Sequence, residues 1–293
     1  MKRSRILVIL IVLGALGATL ALAQRYRYDE RYSDPRGGVP NWEPDKEFAH
    51  DLFTFVRIRY SSGYGGYGGY GGRGGRRGRG GYGRGGGGWS VDYPDSDLNF
   101  SFRLHQLTAM QVHPDGIVLE LTDPELFNYP FIYMLEVGAL VFSDEEVKAL
   151  RKYLLSGGFL MVDDFWGDEA WYNFYREIKR VFPEREPVDI PLEDNIFHIP
   201  YDLKEKPQIP SINSALAGRP YGITWEDHGP GSQTPHFRAI YDDKGRMMVV
   251  ICHNTDLGDG WEEEGVDEWY FHEFSEKKAY PMGINIVFYA MTH

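Results

Sequence analysis

Residues 131–164 read FIYMLEVGALVFSDEEVKALRKYLLSGGFLMVDD, and this stretch decides the fold. Residues 131–135 are wholly apolar, as a strand buried on both faces would be. Ser143 with Glu146 three positions on forms a capping box, and Val147, Leu150 and Leu154 follow at helical spacing. Gly157-Gly158 closes that helix. Residues 159–163 are a second apolar strand that turns acidic at its end. Strand, helix, strand is a βαβ unit, so the two strands are expected to run parallel with a right-handed crossover.

The same reading extends outward in both directions. Residues 53–60 make a first strand and residues 97–110 a helix with Leu98, Phe102, Leu104 and Leu107 on its apolar side. Residues 116–121 are a short strand. Residues 168–182 form the clearest helix, with Trp171, Phe174, Tyr175, Ile178, Val181 and Phe182 at helical spacing and Pro183 stopping it. Residues 183–236, rich in Pro, Gly and Asn, read as mostly irregular with short turns of helix. Residues 237–241 and 247–252 form a hairpin around Asp242-Asp243-Lys244-Gly245, and residues 283–291 a closing helix. The expected class is α/β: one three-layer domain over residues 48–293 with a mainly parallel central sheet.

Two segments stand apart from this domain. Lys2, Arg3 and Arg5 precede an apolar run over residues 6–20, and Ala21-Leu22-Ala23 supplies small residues for cleavage before Gln24. Residues 1–23 therefore read as a secretory signal peptide, which makes the protein periplasmic or extracellular. The rival, an uncleaved anchor, is short against the roughly 20 apolar residues a spanning helix needs. No later segment is long and apolar enough to span. Residues 24–47 are a polar arm. Residues 63–88 contain only Gly, Tyr and Arg. Without aliphatic side chains to offset the entropy of ordering, they are expected to be a disordered tether. Arg-Gly segments with aromatics can stack on single-stranded nucleic acid. Behind a signal peptide, a solvated expansion is the expectation, with self-association or contact with polyanionic or glycan surfaces as alternatives.

Net charge is −12; three positive charges in residues 1–23 and five in the insert leave the remainder near −20. Such a body repels nucleic acid and anionic membranes and tolerates cations, basic partners and neutral glycans. Cys252 is the lone cysteine, so no internal disulfide forms, and a small buried residue at a strand end is its expected role.

Five runs, DPELFNYPFIYM (123–134), SDEEVKALRKYLLSGGFLMVDDFWG (143–167), IFHIPYDL (196–203), VVICHNTDLGDGWE (249–262) and GINIVFYAM (283–291), together resemble the bacterial domain of unknown function family numbered 4159. The resemblance covers residues 48–293 less the insert. It implies a flavodoxin-like fold similar to class I glutamine amidotransferases, and no established activity. Those enzymes carry a cysteine on a sharp turn after a central strand. Here the comparable turn is Glu136-Val137-Gly138, so amidotransferase chemistry is not expected.

In an open α/β sheet, ligands bind beyond the carboxyl ends of the parallel strands. Glu136, Asp163, Asp164 and the His253-Asn254-Thr255-Asp256 stretch all fall at such ends. Asp163 and Asp164 could hold a divalent cation with His253 as a further ligand. Crowded carboxylates could instead raise one another's pKa and yield a general acid. A third reading has them capping the helix that begins at Asp168. No cofactor is evident. His198, His228 and His236 are isolated in loops, without zinc spacing. Asp259-Gly260-Trp261-Glu262 and Trp269-Tyr270-Phe271-His272 are expected to fold over the same sheet end. Two functions stay open. The favoured one is a non-catalytic envelope module that binds a protein or glycan partner through Glu136, Asn254 and Trp261. The alternative is a cation-assisted hydrolase using Asp163, Asp164, His253 and Asp256.

Overall fold

The computed structural model describes residues 36–48, 51–62 and 88–293. The expected signal peptide (residues 1–23), residues 24–35 of the arm, residues 49–50 and residues 63–87 of the insert lie outside them. The chain divides into two compact units after Pro40. In the first, residues 36–38 form a turn, with Val39 N–H donating to Arg36 O (2.9 Å). The second, Asn41–His293, carries the α/β fold.

Its sheet contains β1 (Val56–Ile58), β2 (Ile117–Leu119), β3 (Phe131–Leu135), β4 (Phe159–Asp163), β5 (Val188–Asp189), β6 (His236–Tyr241) and β7 (Met247–His253). They lie in the order β2-β1-β3-β4-β7-β6-β5. The first five are parallel, and β6 and β5 add an antiparallel edge. The expected βαβ unit is present: β3 and β4 pair in parallel from Phe131↔Phe159 to Leu135↔Asp163. Winding reverses between β1 and β3, since β2 lies on one side of β1 and every later strand on the other.

Helices cover both faces. One carries α1 (Asp95–Leu107), α4 (Ile212–Gly218), α5 (Leu257–Glu262), α6 (Glu268–Tyr270), a π-helical stretch (Phe271–Ala279) and α7 (Tyr280–Thr292). The other carries α2 (Asp144–Leu155) and α3 (Gly167–Val181). Strand alternation feeds each layer: Phe131, Tyr133 and Leu135 of β3 face the first, and Ile132 and Met134 the second. The capping box holds as read. Ser143 Oγ accepts from Glu146 N–H (3.1 Å), and Glu146 Oε2 accepts from Ser143 N–H (2.7 Å). Gly157 ends α2 at φ 111°, a conformation glycine adopts freely.

Several boundaries differ from expectation, including α1, which spans Asp95–Leu107 rather than 97–110, and β2, confined to Ile117–Leu119. The first strand is confined to Val56–Ile58, with Phe53 forming only an isolated bridge to Val112. Residues 183–236 contain β5, a strand too short for periodicity to reveal, while the short helix α4 is of the kind expected there. The closing helix starts at Tyr280, directly after the π-helical stretch. Among the described residues, no helix is long and apolar enough to cross a membrane.

Candidate functional site

Three adjacent parallel strands end alike. Immediately past β3, β4 and β7 stand Glu136, Asp164 and Asn254, at φ 52°, 49° and 61°. A left-handed backbone costs a residue bearing a Cβ about 1–2 kcal/mol. Among the described residues, Asp92 (φ 61°) is the remaining non-glycine residue in that region. Hydrogen bonds lace the tips together: Glu136 N–H donates to Asp164 O (3.0 Å), and Asn254 N–H to Phe165 O (2.9 Å). The Tyr60 hydroxyl reaches the carbonyls of Leu135 (2.7 Å) and Glu136 (2.8 Å). Such conformations persist where the surroundings over-determine them, and they cluster at functional sites.

Asp92 reaches the same place by another route. Arg57, buried in the middle of β1, donates to Asp97 (Nε to Oδ2, 3.1 Å), Ser96 Oγ (2.9 Å) and the carbonyls of Trp89 (3.0 Å) and Val91 (2.9 Å). Burial opposes its charge, but the Asp97 carboxylate outweighs that and holds the guanidinium pKa above its ordinary value. This pins the chain as it returns from the insert and fixes Asp92 three residues past Trp89. The described residues on either side of residues 63–87 are tied down: Ser62 bridges to Leu140, and Gly88 packs on the Glu136 side chain.

The carboxylates converge over α5. Asp163 Oδ2 accepts from the Leu257 N–H (2.9 Å), the Gly258 N–H (3.1 Å) and the Tyr133 hydroxyl (3.1 Å). Asp256 caps the same helix, its Oδ1 accepting from Asp259 N–H (2.8 Å). Ligand atoms of Asp92, Asp256 and Asp259 lie within 4.8 Å of one another, and Glu262 and Glu263 group likewise with Asp259. Asp92 Oδ2 and Asp163 Oδ1 are buried without a hydrogen-bond partner. Gly258 has no side chain to crowd Asp92 Oδ2. A Cβ there would stand 2.8 Å from Asp92 Oδ2, 3.0 Å from the Tyr133 hydroxyl and 3.2 Å from Asp256 Oδ1.

Electrostatics follow from that crowding. Burial pushes Asp92 up to about 6 against the pull of Arg57. Burial and the nearby Asp92 take Glu136 to about 7. Burial takes Asp163 to about 7 despite its hydrogen bonds. Glu262, buried beside Asp92 and Asp259, rises to about 11. Asp164, Asp256 and Asp259 are raised well above the ordinary range by burial and then by neighbouring carboxylates, chiefly Glu136 for Asp164, Asp164 for Asp256 and Asp92 for Asp259. At the rim, Glu226 pairs with His228 Nε2 (3.1 Å), and the Trp166 ring stacks on His228. The hydrogen bond that His228 donates to Glu226 raises the imidazole pKa above its usual value. An open depression of about 590 Å³, lined by Asp168, Trp225, Asp227, Gln233 and His236 among others, is a separate feature that none of these carboxylates lines.

The structure thus brings Glu136, Asp164 and Asp256 together with Asp163 at their base, and leaves out three residues expected beside them. His253 faces the α3 layer. Its ring packs on Phe165 and Trp171, Nε2 donates to Gly167 O (3.0 Å), and Nδ1 accepts from Arg238 (3.2 Å). Burial lowers its pKa to about 3, so it stays neutral and has no nitrogen left for a metal. Asn254 is a brace: it accepts from Gly167 N–H (2.8 Å) and donates to Gly231 O and Thr234 O (2.7 Å each). Trp261 is core, fully buried with its ring 4.4 Å from that of Phe100. Asp163 supports α5, whereas Trp166 is the N-cap of α3 and makes no side-chain cap bond. Cys252 is buried, and burial raises its thiol pKa, which suits a packing role.

Asp92, Glu226 and the buried Arg57 were missed. Arg57 left a signal, a charge in the middle of an otherwise apolar strand; Asp92 and Glu226 sit in irregular chain and left none. Asp259 and Glu262 do fold over the sheet end as expected. No curated protein matches this chain. A family model described as a domain of unknown function matches residues 79–291, and the chain therefore belongs to the DUF4159 family.

Proposed function

We propose that this chain is an exported, non-catalytic binding module of the cell envelope, of flavodoxin-like type, that takes a positively charged ligand into the carboxylate hollow. The observation that carries the reading is an imbalance of charge. Asp92, Glu136, Asp164, Asp256, Asp259 and Glu262 crowd one another, while the cations acting on them are Arg57, already on Asp97, and His228, already on Glu226. Buried carboxylates in such number hold protons or a cation. A cationic ligand would let them ionise and would gain their full attraction.

Further support comes from position. The strand order β2-β1-β3-β4-β7 is that of flavodoxin-like sheets, and the hollow stands at the carboxyl tips beside the switch between β1 and β3. Export rests on the pattern of residues 1–23. A glycan is less well supported than a cation, because Trp261 and Tyr270 are buried in the core and offer no stacking platform. The hydrolase alternative needs Asp163 and His253 side by side, and they face opposite layers of the sheet.

The test is a thermal-shift panel on the chain from Gln24 onward, set against metal ions, polyamines, lysine- and arginine-rich peptides, and neutral and anionic sugars. At least one cationic class should raise Tm, with the rise diminished in Glu136→Gln. Indifference to every cationic class, or a response confined to anionic and neutral compounds, overturns the reading.

A further inference from the structure

We propose that the inner end of the hollow is a divalent-cation site of the calcium type, with Asp92, Asp256 and Asp259 as its carboxylate ligands. The inference rests on the cationic-ligand reading and narrows it to one chemistry and one set of residues. Of these, Asp256 was among the strand-end candidates, whereas Asp92 and Asp259 were not, and His253 is committed elsewhere.

Three observations converge. The ligand atoms of the three aspartates lie within 4.8 Å of one another, a span that oxygens around one cation at 2.3–2.6 Å can share. Asp92 is 7% exposed; its carboxyl shares a hydrogen bond with that of Glu262, and its Oδ2 meets no N–H or hydroxyl donor. A buried oxygen left unpaired costs about 1–3 kcal/mol, more when charged, so one aimed at other oxygens calls for a positive occupant. Third, Gly258 has no side chain where Asp92 Oδ2, Asp256 Oδ1 and the Tyr133 hydroxyl approach from three elements. Any other residue would place a carbon among those oxygens. The donors are all oxygen, which selects a hard cation over zinc or copper. The surroundings hold the ligands in place: Arg57 fixes the backbone just before Asp92, and Asp163 holds the first turn of α5, from which Asp256 and Asp259 project.

The chain from Gln24 onward, stripped with EDTA and dialysed, is titrated with terbium(III) as a luminescent calcium surrogate. Tyr133 and Trp261 lie close enough to sensitise its emission. The site predicts saturable emission that calcium displaces, together with a calcium-dependent rise in Tm. Asp92→Asn and Asp259→Asn should each weaken calcium binding about tenfold or more, because ligand charge sets affinity in such sites. Asp189→Asn, on the β5 edge, should bind as the parent does. Absent emission, terbium that calcium does not displace, or undiminished binding in both site variants overturns the proposal. Should the variants not fold, the parent decides: a calcium-dependent rise in Tm upholds the site and its absence rejects it. A parent stabilised by polyamines but not by metal ions loses the metal site and keeps the wider reading; a parent indifferent to both loses the two together.

Discussion

At the scale of single residues, His253 shows how a polar side chain at a strand tip becomes structural. Arg238 can only donate, so the Nδ1 facing it accepts, and the proton sits on Nε2 toward Gly167 O. A second proton would face Arg238 with no acceptor, and burial lowers the pKa to about 3. An unfolded histidine titrates near 6.5. Above that pH neither state holds the extra proton, and stability is undiminished. As pH falls from about 6.5 toward 3, the unfolded chain gains a proton that the folded chain refuses, and stability drops by about 1.4 kcal/mol per unit. His253→Asn should therefore be less stable than the parent at pH 8, yet the gap should narrow by about 2 kcal/mol at pH 5. Urea denaturation at the two pH values measures this. A gap that does not change with pH would mean that His253 is protonated in the fold.

Elements explain which parts of this site could be read in advance. The capping box of α2 and the apolar runs of β3 and β4 are local patterns, and each formed where residues 131–164 placed it. Grouping Asp163 with His253 needed something no local pattern contains, the register between β4 and β7. Val162 pairs with Ile251, which sets Asp163 level with Cys252 and sends His253 to the other layer. Asp92 lies in irregular chain and is brought in by a buried arginine 35 positions earlier, so it left no trace in periodicity. The placement of α5 is equally non-local. Gly260 sits against the π-helical stretch, where a Cβ would overlap that of Ala279. Helix propensity alone makes Gly260→Ala stabilising by about 1 kcal/mol. Overpacking against a backbone-borne methyl reverses that sign, for a net loss of about 1–3 kcal/mol. Since α5 carries Asp256 and Asp259, the same change should weaken ligand binding in the hollow. Thermal denaturation decides it, and a more stable variant would show that α5 packs more loosely than described.

For the whole molecule, charge and address bear on one another. The chain carries a net −12, with five of its arginines in residues 63–87 and three basic residues ahead of the apolar run at its amino terminus. That asymmetry leaves the folded body strongly acidic, and its hollow concentrates the imbalance. Carboxylate sites in extracellular modules bind calcium with dissociation constants near 10⁻⁴–10⁻³ M, whereas cytosolic sensors need far tighter sites. Three aspartates, without a bidentate glutamate loop, suit the weaker class, which fills only where divalent cations are abundant. Export and cation binding are thus linked expectations. Expressed with its own amino terminus in a bacterial host, the chain should be cleaved after Ala23 and recovered outside the cytoplasm, with an intact mass beginning at Gln24. Mass spectrometry of the fractionated cells reads both the cleavage point and the compartment. An uncleaved chain in the cytoplasm would contradict the export address. It would also leave a site of this strength empty of calcium, so that the hollow's carboxyls would keep their protons and its occupant would have to be organic.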